Sequence, residues 1–216
     1  MTEPLAPAVR AAELAAFLAA RMCHDFISPA SAITSGLDLL EDPSTSDMHD
    51  EAMGLIAASA KKLADQLAFC RVAFGASASA ETFDVRDLEK LSRGVFDHMR
   101  ADLDWAVEAP AVNKPTARAL LNLVQMAGAA LPTGGTAKVR AVQDGANMSI
   151  AIEAVGPRAR LRAEVGEGLR GEPLGEGLHG HWVQAYYAWL LIGDAGGRVF
   201  AEAEPERVVF AATLPA

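Results

Sequence analysis

The residue best placed to do chemistry in this sequence is His24. An imidazole titrates near neutral pH and can act as nucleophile, proton carrier or metal ligand. It sits in a long run of helical periodicity whose apolar residues are Leu14, Leu18, Met22, Phe26, Ala30, Ile33, Leu37 and Leu40. These fall within about 160° of arc, and His24 lies almost opposite their centre, so helix geometry points it at solvent. Its neighbours on the helix are Ala20, Arg21, Ile27 and Ser28, with Ser31 two turns on. Most are small or hydroxylated, so another protein surface can approach the ring closely. Arg21, one turn earlier, is placed to counter an anion there. Pro29, deep in the same pattern, removes the hydrogen bond to the carbonyl of Asp25 and costs about 3 kcal/mol against a good helix former. A bent turn with a task at His24 makes that cost intelligible. His49, His98, His179 and His181 form no ligand spacing or acid-base pair and read as surface or turn residues.

The elements that hold His24 follow from the same periodicity. Residues 8–41 read as one helix, broken by Glu41-Asp42-Pro43-Ser44-Thr45-Ser46. A second helix starts at Ser46 or Asp47, either a good N-cap, with Asp50 and Glu51 in its first turn. Its apolar stripe is Met48, Ala52, Leu55, Ile56, Ser59, Leu63, Leu67, Cys70 and Phe74. Two helices joined this way form an antiparallel hairpin. A single hairpin leaves one side of each stripe wet, so the expected solution is a homodimer pairing two hairpins into a four-helix bundle. The alternative is packing on the rest of the same chain.

After a small-residue linker at 76–81 the pattern changes. Short strands are expected at 82–85 and 105–107, helices at 86–99 and 116–131, and a β-hairpin at 137–142 and 148–153. A Gly-rich stretch, a helix at 181–192 and strands at 198–203 and 207–213 follow. The expected fold class is α + α/β sandwich: a dimerising hairpin over 1–75, then a two-layer α+β domain over 82–216.

Composition narrows the function. Of 216 residues, 19 are Lys or Arg and 28 Asp or Glu, a net charge of −9, which argues against nucleic acid or an anionic membrane as partner. At 51% hydrophobic and 22% charged the chain is globular, and 6% aromatic residues favour closely packed helices. Cys23 and Cys70 cannot build a disulfide scaffold and read as buried or half-buried thiols. No apolar run reaches the ~18 to 20 residues of a membrane span, so a cytoplasmic location is expected.

His24-Asp25-Phe26-Ile27-Ser28-Pro29 resembles the H-box of sensor histidine kinases, although Ile27 stands where a basic residue is usual. The order of hairpin, linker and α+β domain resembles the ChpT family of alphaproteobacterial histidine phosphotransferases along essentially the whole chain. The resemblance implies a second domain with the histidine kinase ATPase (Bergerat) fold. Leu121 to Ala127 resembles its N-box helix, but Met126 stands where a second Asn would hold Mg²⁺, and a thioether suits that cation poorly. Glu153 to Arg158 corresponds to the adenine-recognising D-x-G-x-G, with Ala154 in place of Asp and Arg158 in place of the last Gly. Gly175 to Leu178 looks like a second Gly box and reads better as a loop. The domain is therefore expected to keep its architecture and not to bind ATP.

What the resemblance implies is a phosphotransferase that carries a phosphoryl group on His24. The donor would be the receiver domain of a hybrid histidine kinase and the acceptors the receivers of response regulators, including a cell-cycle master transcriptional regulator. Asp25 would orient the ring, with Ser28 touching the phosphoryl group or capping the carbonyl freed by Pro29. Mg²⁺ would sit in the receiver and no cofactor on this chain. Ala20, Ile27, Ser31, Lys61, Lys62 and Arg71 are the expected receiver contacts. Two rivals remain open: an ATP-dependent histidine kinase with a divergent site, and a non-enzymatic dimeric scaffold or kinase inhibitor that binds receivers.

Overall fold

A computed structural model describes residues 9–75, 81–174 and 179–216. The chain opens with helix α1, Ala11–Glu41, which continues unbroken through the buried Pro29. Asp42 then accepts a hydrogen bond from Ser44 N at 2.8 Å, starting a 3-10 turn, Pro43–Met48, before α2, His49–Ala73. Asp42 thus caps the 3-10 turn that Pro43 opens, while α2 itself starts after the expected Ser46 or Asp47, with Met48 at its N-cap position and no side-chain cap.

The helices are antiparallel and close: a Cβ on Gly36 would stand 2.6 Å from Ile56 Cγ1 and 3.2 Å from the backbone oxygen of Ala52. Along this hairpin Leu37, Met48, Met53, Leu55 and Leu67 remain exposed.

The expected linker falls almost wholly at 76–80, outside the described residues. Beyond it come β1 (Thr82–Asp84), α3 (Val85–Phe96), β2 (Ala101–Glu108), β3 (Ala111–Asn113) and α4 (Lys114–Ala129). Then follow β4 (Gly135–Asp144), β5 (Asn147–Val155), α5 (Ala163–Leu169), α6 (His179–Asp194), β6 (Arg198–Glu204) and β7 (Arg207–Pro215). A five-stranded sheet runs β2-β4-β5-β7-β6, parallel at β2/β4 and antiparallel elsewhere; β1 and β3 form a separate antiparallel pair.

Alternation decides which face the sheet buries. In register across β4, β5 and β7, the rows Val139–Ile152–Phe210 and Ala137–Ala154–Val208 point into the core, while Lys138 and Arg140 face water. Against them lies α4, whose Leu120, Leu121, Leu123 and Val124 are wholly buried.

Two elements were not expected. β3 is only three residues long, and Asn113 at its end caps α4 by accepting from Thr116 N at 3.0 Å. α5 contains Gly166 and Gly168, poor helix formers, but a Cβ on Gly168 would stand 2.7 Å from Trp182 O, so close packing on α6 requires glycine there.

The hairpin is not separate from the α+β domain. Val9, Leu14, Phe17 and Leu18 pack on Trp182, Val183 and Tyr186 of α6, with the Trp182 and Tyr186 rings stacked at 4.5 Å between centroids. The first third of the α1 stripe therefore covers its own chain, on an aromatic face of α6 that offers large apolar rings to pack against. The expectation that the whole stripe serves a bundle is corrected to this extent.

Candidate functional site

His24 projects from the middle of α1 with 87% of its side chain exposed, as the helical periodicity requires. Its Nδ1 lies 3.3 Å from Asp25 Oδ1. A carboxylate only accepts, so this contact places the ring proton on Nδ1 and leaves the Nε2 lone pair free. Ala20, Ile27, Ser28 and Ser31 are exposed around the ring, Ile27 to 61%. Ser28 makes no hydrogen bond among the described residues, so it does not cap the carbonyl freed by Pro29. Its hydroxyl is free to meet a ligand.

Arg21 departs from its expected place. Its side chain is 13% exposed; Nε lies 3.5 Å from Asp25 Oδ2, and Nη1 donates to the carbonyl oxygen of Gly180. Burial lowers its pKa, against the pull of Asp25. It is thus a link from α1 to the start of α6 more than a solvent-facing counter-ion. Beside it, burial together with Asp25 pushes the half-buried Cys70 thiol up to about 11, while Cys23 is exposed, contrary to expectation.

Between α1 and α6 opens a cleft of about 360 Å³ lined by Phe17, Ala20, Arg21, His24, Asp25 and His181. The presence of His181 corrects its expectation as a bland surface residue. Its pKa is lowered by burial and by the nearby Arg162 and Arg21, which favours the neutral ring. Only the folding of α6 onto α1 brings it there, and no local spacing signals that contact.

The expected basic patch is dispersed. Lys61 Nζ is 2.9 Å from Asp65 Oδ2 and 3.1 Å from Asp97 Oδ2, so it joins α2 to the end of α3. His98 joins the same cluster through Asp65 at 2.9 Å, which corrects its reading as a bland residue. Lys62 is half-buried, and exposed Arg71 borders a groove with Asp65 and Asp87. His49 is exposed, as expected; the side chain of His179 and the Gly175 to Leu178 segment lie outside the described residues.

Near the end of α4, Met126, Ala130, Arg160, Leu161, Arg162 and Gln184 line a cavity of about 20 Å³, room for about one water. Arg160 N donates to Ala130 O at 3.0 Å, drawing the segment after β5 onto the end of α4. Ala154 presents a buried methyl group on β5, and Arg158 is exposed. Asn122, in the N-box-like helix, donates to Ala73 O at 3.1 Å and Arg118 O at 2.9 Å and accepts from Gln184 Nε2 at 3.1 Å. Its polar atoms tie α4 to α2 and α6 and are not turned toward a metal. Among the described residues no group of three or more His, Cys, Asp or Glu side chains is arranged to hold a metal ion, and no helix is long and apolar enough to cross a membrane.

The model of the histidine phosphotransferase C-terminal domain matches residues 85–207. The protein phosphotransferase ChpT of Brucella abortus (strain 2308) is 33% identical over 203 residues, 94% of this chain and 96% of its own length. This chain belongs to the histidine phosphotransferase family. A 1.7 Å structure of a bacterial phosphotransferase is 31% identical and superposes with a TM-score of 0.85 over 98% of this chain and 100% of that one. The catalytic domain of the histidine kinase ThkA, 20% identical, covers 62% of this chain and 93% of its own with a TM-score of 0.50, which shows a shared fold alone. The family's second domain therefore has the ATPase-like architecture that the sequence led us to expect.

Proposed function

We propose that this chain relays a phosphoryl group between receiver domains in a two-component phosphorelay, with His24 as the covalent carrier. The observation that carries the reading is the 87% exposed ring, held by Asp25 through Nδ1 on the H-box helix of a histidine phosphotransferase family member. In the first step the Nε2 lone pair attacks the phosphorus of a receiver aspartyl phosphate. An N–P bond forms, the acyl P–O bond breaks and its electron pair leaves with the receiver carboxylate. In the second step the carboxylate of another receiver attacks the phosphohistidine, and the N–P electrons return to Nε2. Asp25 offsets the positive charge that builds on the ring. Such transfer depends on positioning and charge neutralisation, and Mg²⁺ in the receiver's acidic pocket supplies much of the latter.

The first donor is the receiver of a hybrid histidine kinase, and the acceptors include, on the family resemblance, a cell-cycle transcriptional regulator. Exposed Ile27, with Ala20 and Ser31 beside the ring, offers an apolar docking patch. A homodimer is supported by Leu37, Met48, Met53, Leu55 and Leu67, which stand exposed on the hairpin. The second domain does not bind ATP in this proposal; the 20 Å³ cavity, Ala154 and the fully engaged Asn122 support that. It serves instead to seat α1 and to add docking surface for receivers. The site of action is the cytoplasm.

The test is reconstituted transfer from a labelled phospho-receiver, through this protein, to a second receiver. Label passing through His24, and lost with His24→Ala, is the expected result. Receiver binding with no label on His24 would make the chain a scaffold, and robust labelling from ATP and Mg²⁺ alone would make it a kinase.

A further inference from the structure

We propose that Arg21 is a positioning residue that ties the orientation of the His24 ring to the seat of α6. The inference rests on the relay reading above and deepens it. Three links form an unbroken path: Arg21 Nη1 donates to Gly180 O, Arg21 Nε lies 3.5 Å from Asp25 Oδ2, and Asp25 Oδ1 lies 3.3 Å from His24 Nδ1. The stem of Arg21 also runs against Gly180, where a Cβ would stand 4.0 Å from Arg21 Cγ.

A buried cation is costly unless paired, so a 13% exposed guanidinium holds this place only because both partners are there. Its planar fork can serve a carbonyl and a carboxylate at once, which the single point charge of lysine cannot. Asp25, by contrast, is 35% exposed and adjacent in sequence to His24. Without Arg21 nothing else described fixes which way its carboxylate turns. The groups around this path are Cys70 from α2, His181 from α6, Arg162 just before α5 and Glu164 in its first turn. Cys70 remains protonated near neutral pH, and although Glu164 is a second carboxylate in this neighbourhood, the side-chain contact at His24 Nδ1 is to Asp25.

The consequence is a division of labour between domains. The α+β domain reaches the acceptor ring through the backbone of α6, and the ring's tautomer depends on a contact to a helix that carries none of the chemistry.

The test uses the full chain with Arg21→Gln and Arg21→Lys. The ring nitrogen shifts of His24 are read by ¹⁵N NMR on unphosphorylated protein, alongside single-turnover transfer from a phosphorylated receiver, receiver affinity and thermal unfolding. Expected are one Nδ1–H tautomer in the parent and a mixture in Arg21→Gln. Transfer should fall about tenfold with receiver affinity within about twofold, and Arg21→Lys should lie between. A tautomer unchanged in Arg21→Gln, or a rate loss that only tracks the unfolded fraction, overturns the proposal. If Arg21→Gln does not fold, the Arg21→Lys spectrum decides in the same way. Failure of the parent to carry label sinks the relay reading instead, and the ring spectrum still judges Arg21.

Discussion

The helical hairpin and the α+β domain differ in how complete their packing is. In the domain, Leu120, Leu121, Leu123 and Ile152 are fully buried between α4 and the sheet, and the cavity beside Met126 and Gln184 is only about 20 Å³. In the hairpin, Leu55 stays 40% exposed and Leu67 48% exposed, and the side chain of His24 is 87% exposed. The comparison teaches that packing and the proposed chemistry are separated in this molecule. The well-packed α+β domain acts as a support, and the element with unfinished packing is the one that carries the proposed phosphoacceptor.

The strongest way to break this contrast is at the ring. His24→Ala should abolish transfer while leaving the unfolding midpoint within error, because a solvated side chain contributes little to packing. A large loss of stability in that variant would show that the ring is structural.

Next in size is the converse change in the finished domain. Leu121→Ala removes a wholly buried side chain and should cost about 2–5 kcal/mol in denaturant unfolding, whereas Leu67→Ala at a half-wet position should cost far less in a monomer. The hairpin residue matters through a partner instead. If the proposed homodimer forms through this face, Leu55→Asp with Leu67→Asp should shift it to monomer in sedimentation, with the α+β domain unfolding as before. If the double variant sediments like the parent, these residues do not face a second chain.

How much of this was legible beforehand differs between the same two regions. Both hairpin helices, the exposure of His24 and the strands β4 to β7 followed from periodicity, since period 3.6 and period 2 are local properties of the chain. β2 runs longer than its expected core around Trp105, because Asp102 and Asp104, although they alternate with Leu103 and Trp105, are poor strand formers. Ala154 and Met126, which stand where the resembled kinase pattern has an adenine acceptor and a magnesium ligand, were read by position against that pattern. What could not be read were features made by distant contact. His181 enters the cleft because α6 folds onto α1, Arg21 is buried by the same contact, and Lys61 finds Asp97 across the seam between α2 and α3. α5 was missed because its glycines lower helix propensity, and the approach to Trp182 that demands one of them is tertiary.

That seam gives the smallest and most specific effect. Burial would raise the pKa of Asp65, but hydrogen bonds from Lys61 and His98 outweigh it and hold the carboxyl below its usual 3.8. A depressed carboxylate stabilises the fold above its unfolded pKa and loses that contribution as pH falls through the folded value. Asp65→Asn should therefore lower Tm by about 2 °C at neutral pH, with the gap to the parent closing on acidification below that usual value. The pair is partly solvated, so salt should shrink the gap as well. A gap that persists unchanged into acid would mean Asp65 acts through packing against Gly94, where a Cβ would lie 3.3 Å from the Asp65 carboxyl carbon, and not through its charge. The joint between the two regions would then be steric, and the hairpin would be seated by shape alone.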